Sequence, residues 1–223
     1  MPPRGYVKPK KAKYLSSEQV GALIGAPKAA GEMRDYYLLA ATYFLARRIG
    51  EVVRLRPENF ANLEDDEVNI GILKRERAHR CGPRCARPCK RKGTKTVSRN
   101  LPHDPVNGLP VVSIPVLPDA KPVLAAMVRW AGERRWIFEG QLGKHLTTRA
   151  AQKIFTKWKL VAGIPKAVTP HSLRHTAVSR VVAAAGIALG RDLAAHSSIA
   201  VTNAYVHVTE GDRERSRGSL RVP

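Results

Sequence analysis

Two imidazoles, an arginine and a phenol are spread along the stretch from Thr169 to Tyr205, TPHSLRHTAVSRVVAAAGIALGRDLAAHSSIAVTNAY. His171 and Arg174 are three apart, a spacing that puts both on one face of a helix. His196 and Tyr205 follow within HSSIAVTNAY. A guanidinium offers forked donors, an imidazole gives or takes a proton near neutrality, and an ionised phenol is a nucleophile. That mixture suits an anionic phosphate better than a carbonyl or a sugar. Taken singly, each of these residues is more often packed or solvated than reactive, so their order and spacing carry the case.

Short helices must present them. Pro170 occupies a first helical position with Thr169 as the cap before it, and Gly186 reads as the stop. A second short helix carries Leu193 and ends near His196. Ser197 or Ser198 caps a third that runs to Tyr205. Upstream, Leu15 followed by SSEQ is a capping-box start for a helix that should stop at Gly25–Pro27. A longer helix is expected from about Glu32 to Arg47, with Leu38, Leu39, Ala41 and Leu45 at helical spacing. Glu67–Leu73, Lys95–Leu101 and Val111–Val116 are strand candidates. Further helices are expected over about Lys121–Trp136 and from Thr147/Thr148 through Phe155, Trp158 and Leu160.

HSLRH resembles the H-x-x-R box of the tyrosine recombinases, or phage integrases. AAHSSIAVTNAY resembles that family's G-H-S-S-I-x-x-T-x-x-Y ending, whose last residue is the DNA-cleaving nucleophile. LARRIGEVVRLRPENF is similar to its T-G-L-R-I-S-E-L-x-x-L-x-W-x-D box. The resemblance implies Arg48 as the first catalytic arginine, Glu51 one turn later on the same helix face as the carboxylate that orients it, Arg174 as the second arginine, His171 and His196 as phosphate and proton partners, and Tyr205 as the nucleophile. The family's catalytic lysine falls at Lys95 in TKTVSRNLP, with Lys92 and Lys74 as competing candidates. The chain departs from the pattern at Ala46 and Ala195, where the family has glycine, at Gly50 for serine, and at Arg47, where an apolar residue is expected.

The implied fold is α+β, mainly α, a DNA breaking-rejoining catalytic domain with a small antiparallel sheet. Residues 15–223 would form that domain, with a basic arm at 1–14, a basic cysteine-containing hairpin insertion at 75–94, and no separate N-terminal core-binding domain. The implied activity is site-specific recombination through a 3′-phosphotyrosine. The expected partner is double-stranded DNA, bound by a homotetramer whose protomers are monomers when free. A topoisomerase-like relaxase or a non-cutting DNA-binding accessory protein are the alternatives. No carboxylate cluster of two-metal type is present, so neither Mg²⁺ nor ATP is expected as a cofactor.

Charge agrees with a polyanionic partner. In 223 residues, Lys and Arg outnumber Asp and Glu by 39 to 18, a net charge of +21 spread along the chain. No secretory signal or long apolar run is visible, so a cytoplasmic, DNA-associated protein without a membrane role is expected. Three cysteines in one segment argue against a disulfide framework. His79, Cys81, Cys85 and Cys89 are either ligands of a structural zinc or reduced side chains in a basic loop, since their spacing is not the usual paired one.

Overall fold

The computed structural model describes residues 14–73 and 102–195. Seven α-helices and one two-stranded sheet are found among them, besides short 3-10 turns: α1 (Ser17–Ala29), α2 (Met33–Phe44), α3 (Ile49–Val52), β1 (Glu67–Gly71), β2 (Val111–Pro115), α4 (Lys121–Ala131), α5 (Thr148–Val161), α6 (Pro170–Ala185) and α7 (Ile187–Ala194). The strands pair antiparallel, Glu67 opposite Pro115 and Gly71 opposite Val111. This is the expected mainly helical architecture with a small antiparallel sheet. The expected strand Lys95–Leu101 and the helix from Ser197 or Ser198 to Tyr205 lie outside the described residues.

Local signals account for most helix starts. Ser16 caps α1, its hydroxyl accepting from the Gln19 amide while the Gln19 side chain accepts from the Ser16 amide. Thr147 caps α5, and Thr169 with Ser172 closes a reciprocal cap on α6, with Pro170 in the first turn. Three ends differ from expectation. The first helix runs past Gly25 and Pro27 to Ala29, because Val20, Leu23 and Pro27 form one buried stripe whose packing outweighs the amide that proline lacks. The second stops at Phe44 rather than Arg47, since Ala46 turns left-handed at φ 47°. The fourth stops at Ala131, where Gly132 takes φ 57°.

Three apolar clusters hold these elements. The largest joins α2, α3, the sheet and α4 around Leu38, Leu55, Ile70, Ile114, Leu124 and Phe138. A second sets α1 against α2, α5 and α6 through Leu23, Leu39, Phe155, Trp158 and Leu173, each worth about 1.5–3 kcal/mol if removed from water. Trp158 Nε1 donates to the buried Asp35 carboxylate at 2.8 Å, locking α5 to α2. A third, smaller cluster packs Ala46 against Val178, Val182, Leu193 and Ala194. Here α6 and α7 approach so closely that a Cβ on Gly190 would collide with Val182 Cγ2.

The start of the described chain is also fastened to α6. The Leu15 amide donates to the Thr176 hydroxyl at 3.0 Å in a buried position, and Arg180 reaches the Leu15 carbonyl at 3.4 Å and the Tyr43 hydroxyl at 2.6 Å. No helix among the described residues is long and apolar enough to cross a membrane.

Candidate active site

The third cluster is the floor of a polar constellation. Arg48 is not inside a helix, as its register with Glu51 suggests, but is the residue before α3. The turn of Ala46 throws Arg47 and Arg48 to opposite sides. Arg47 is 1% exposed, whereas the Arg48 side chain is 49% exposed. Glu51, in the first turn of α3, accepts the Arg48 amide on Oε2 at 3.1 Å and the Arg48 guanidinium on Oε1 at 3.2 Å. Its Oε1 also accepts the Leu73 amide at 3.2 Å, which ties the end of the first strand segment to the same carboxylate.

From the other side comes α6. Arg174 is as buried as Arg47, and its Nη1 lies 3.9 Å from Glu51 Oε2. Its Nη2 donates to the Ala194 carbonyl at 2.9 Å. Arg47 Nη2 donates to that same carbonyl at 2.6 Å, and its Nε lies 3.3 Å from Glu51 Oε2. One carboxylate and one backbone oxygen at the C-terminus of α7 therefore hold three guanidiniums. Gly50, standing where the sequence pattern has serine, leaves room here: a Cβ would meet Leu73 Cδ1 at 3.0 Å and the Thr148 hydroxyl at 3.3 Å.

His171 sits at the surface one turn before Arg174, on the same face as expected. The residue is exposed overall, but its ring is partly desolvated beside His175; this lowers its pKa from 6.5, and the charges of Arg174 and Arg48 push it in the same direction. The neutral imidazole is favoured at neutral pH, fit to accept a proton or a hydrogen bond. His175 packs edge-on against it, ring centres 4.2 Å apart, and is pushed down to about 4 by burial, His171 and Arg174. Burial also lowers the pKa of Arg47, offset by Glu51, but a guanidinium stays charged.

Thus Arg48, Glu51, His171 and Arg174, distant in sequence, come together. Lys95, Lys92, Lys74, His196 and Tyr205 lie outside the described residues, as do His79, Cys81, Cys85 and Cys89. Among the described residues no group of three or more His, Cys, Asp or Glu side chains is placed to hold a metal ion. Two participants escape sequence reasoning. The Ala194 carbonyl has no sequence signal. Arg47 has one, its occupation of an apolar slot, which marks an inward-facing position.

Residues 13–211 match the model of the phage integrase family. The chain belongs to that family. It is 27% identical over 213 residues to the tyrosine recombinase XerC of Actinobacillus succinogenes, covering 93% of this chain and 62% of that protein. A shorter segment of 75 residues is 36% identical to XerD of Oceanobacillus iheyensis, 33% of this chain and 25% of that one. The chain thus spans less than two thirds of the length of these relatives. The fold is similar to that of XerA recombinase (TM-score 0.64, 18% identity, covering 96% of this chain and 68% of that one). It is similar also to the Tn1549 transposon integrase in complex with transposon right end DNA (TM-score 0.65, 15% identity, 96% and 67% covered). Within the phage integrase pattern, both glycine-to-alanine departures keep left-handed backbone: Ala46 and Ala195 each have φ 47°.

Proposed function

We propose that this chain is a site-specific DNA recombinase that cuts and rejoins double-stranded DNA through a 3′-phosphotyrosine on Tyr205. The observation that carries the reading is the shared seat on Glu51, which holds both Arg48 and Arg174, with His171 one helical turn before Arg174. Two forked cations with one proton acceptor fit the nonbridging oxygens of a phosphodiester as its charge grows in the transition state.

In this mechanism the Tyr205 oxygen attacks phosphorus after giving up its proton to His171. The bond from phosphorus to the 5′ oxygen breaks, and a lysine protonates that oxygen as it leaves. Lys95 is the first candidate for that acid, ahead of Lys92 and Lys74. His196 donates to a nonbridging oxygen. A 5′ hydroxyl from a second strand then reverses the step, displacing Tyr205 and rejoining the backbone. The phosphotyrosine ester conserves the energy of the broken bond, so the residues named need no nucleotide hydrolysis. Residues 15–223 act as the catalytic domain, with 75–94 as an insertion and 1–14 as a basic arm along the phosphates. The protein works in the cytoplasm, as a monomer when free and a tetramer on two DNA sites.

The test uses nicked duplexes tiled across the DNA that flanks this coding sequence. Wild type should form a covalent protein–DNA adduct, and Tyr205→Phe should bind the same duplexes yet form none. An adduct that persists in Tyr205→Phe overturns the assignment. Relaxed plasmid without recombinant products would point instead to a relaxase.

A further inference from the structure

Among the described residues, three guanidiniums, those of Arg47, Arg48 and Arg174, converge on the Glu51 carboxylate. Arg47 and Arg174 are both fully buried, and each lies within ion-pair distance of Glu51. Buried ions are ordinarily matched, because stripping water from an unmatched one is costly. Arg48 adds a third guanidinium from the surface side.

Removing Arg47 would orphan nothing around it. Glu51 Oε1 would keep the Arg48 guanidinium and the Leu73 amide, and Oε2 would keep the Arg48 amide. The Ala194 carbonyl would keep Arg174. Meanwhile Nη1 of Arg47 makes no hydrogen bond among the described residues. The position takes an apolar residue in the pattern this chain otherwise resembles, and Ala46 before it and Ala194, whose carbonyl it reaches, both belong to a buried apolar cluster. Local stability therefore favours a hydrocarbon here, and the guanidinium is retained against it.

What Arg47 does contact is specific. It bridges Glu51, the carboxylate that aims Arg48, and the Ala194 carbonyl, the acceptor that aims Arg174. We infer that Arg47 is a positioning residue for strand cleavage: it fixes the two acceptors that orient Arg48 and Arg174 and adds its buried charge to the field they present. This rests on the recombinase reading.

The experiment compares wild type, Arg47→Met and Arg47→Lys, as full chains, on the nicked duplexes described above. Thermal midpoint, DNA affinity and single-turnover cleavage at saturating DNA are measured for each. Arg47→Met should melt at or above wild type and bind with affinity within about twofold, yet cleave about 10- to 100-fold more slowly. That loss is smaller than for removing a group that touches the phosphate. Arg47→Lys should recover part of the rate, since it restores charge without the fork. Wild-type cleavage by Arg47→Met would overturn the inference. So would a Met variant that melts well below wild type and regains full rate when cooled, because that is a packing role alone. Should methionine overfill the site, Arg47→Leu carries the same test. Wild type that forms no adduct would sink the recombinase reading itself, whereas equal adduct from wild type and variants sinks only the role of Arg47.

Discussion

Arg48 and Arg174 are assigned the same chemistry, yet the chain seats them in opposite ways. Arg48 stands before a four-residue helix with half its side chain in solvent, steered by one carboxylate. Arg174 lies within a sixteen-residue helix, sealed from solvent and hydrogen-bonded to a helix end. The difference separates two jobs that a sequence motif merges. Arg174 is part of the interior and gains its aim from packing. Arg48 gains its aim from Glu51 at the edge of solvent.

The largest expected effect tests that separation. Arg48→Ala and Arg174→Ala should each slow cleavage by about 10²- to 10³-fold, as loss of a preorganised donor does. Only Arg174→Ala should also unfold easily, losing about 2–4 kcal/mol through the cavity and the lost packing of its stem. Arg48→Ala should lose less than about 1 kcal/mol, because half of its side chain is in solvent and the buried Glu51 keeps Arg47 and the Leu73 amide. Equal losses in denaturant titrations would erase the distinction.

Acid should strike the buried side next. Unfolded, His175 takes a proton near its ordinary 6.5, whereas in the fold it waits until about 4. Between these values the unfolded chain holds more protons, so stability falls as pH drops from 6.5 toward 4. His175→Gln should flatten that decline while Arg48→Ala leaves it in place. A slope unchanged by His175→Gln would remove the histidine from the account.

The smallest effect compares the two left-handed alanines, one ahead of Arg48 and one after Ala194. Such a backbone costs an alanine about 1–2 kcal/mol, and glycine relieves it at an entropic loss of about 0.5–1 kcal/mol. Ala195 is only partly buried, so Ala195→Gly should stabilise by up to about 1 kcal/mol. Ala46 is fully buried, and its methyl contributes about 0.8 kcal/mol, so Ala46→Gly should be close to neutral. Thermal melts that reverse this order would show that the two turns are not equivalent.

Much of this was legible in the chain. Ser16 with Gln19 and Thr169 with Pro170 announce helix starts through local hydrogen bonds, which depend on neighbours in sequence alone. The pairing of Arg48 with Glu51 is local too, although the helix it was expected to sit on proved to begin one residue later. What sequence leaves dark is set by distant packing. Nothing near Pro27 says that its ring completes a buried stripe, so the helix outruns its stop signal. Nothing near Arg47 says that the end of α7, some 147 positions along the chain, turns a carbonyl toward it. The apolar slot it fills gives direction, inward, but not the partner.

The fastening of Leu15 to Thr176 has a mechanical consequence. Thr176 lies two residues beyond Arg174, and the Leu15 amide is hooked to its hydroxyl while Arg180 clasps the Leu15 carbonyl. The peptide that leads into α1 is therefore a handle on α6. A pull on the residues before Tyr14 is delivered not to a slack loop but to the middle of the helix that carries His171 and Arg174. Tension there would be felt as torque on that helix, transmitted through two hydrogen bonds rather than along the chain.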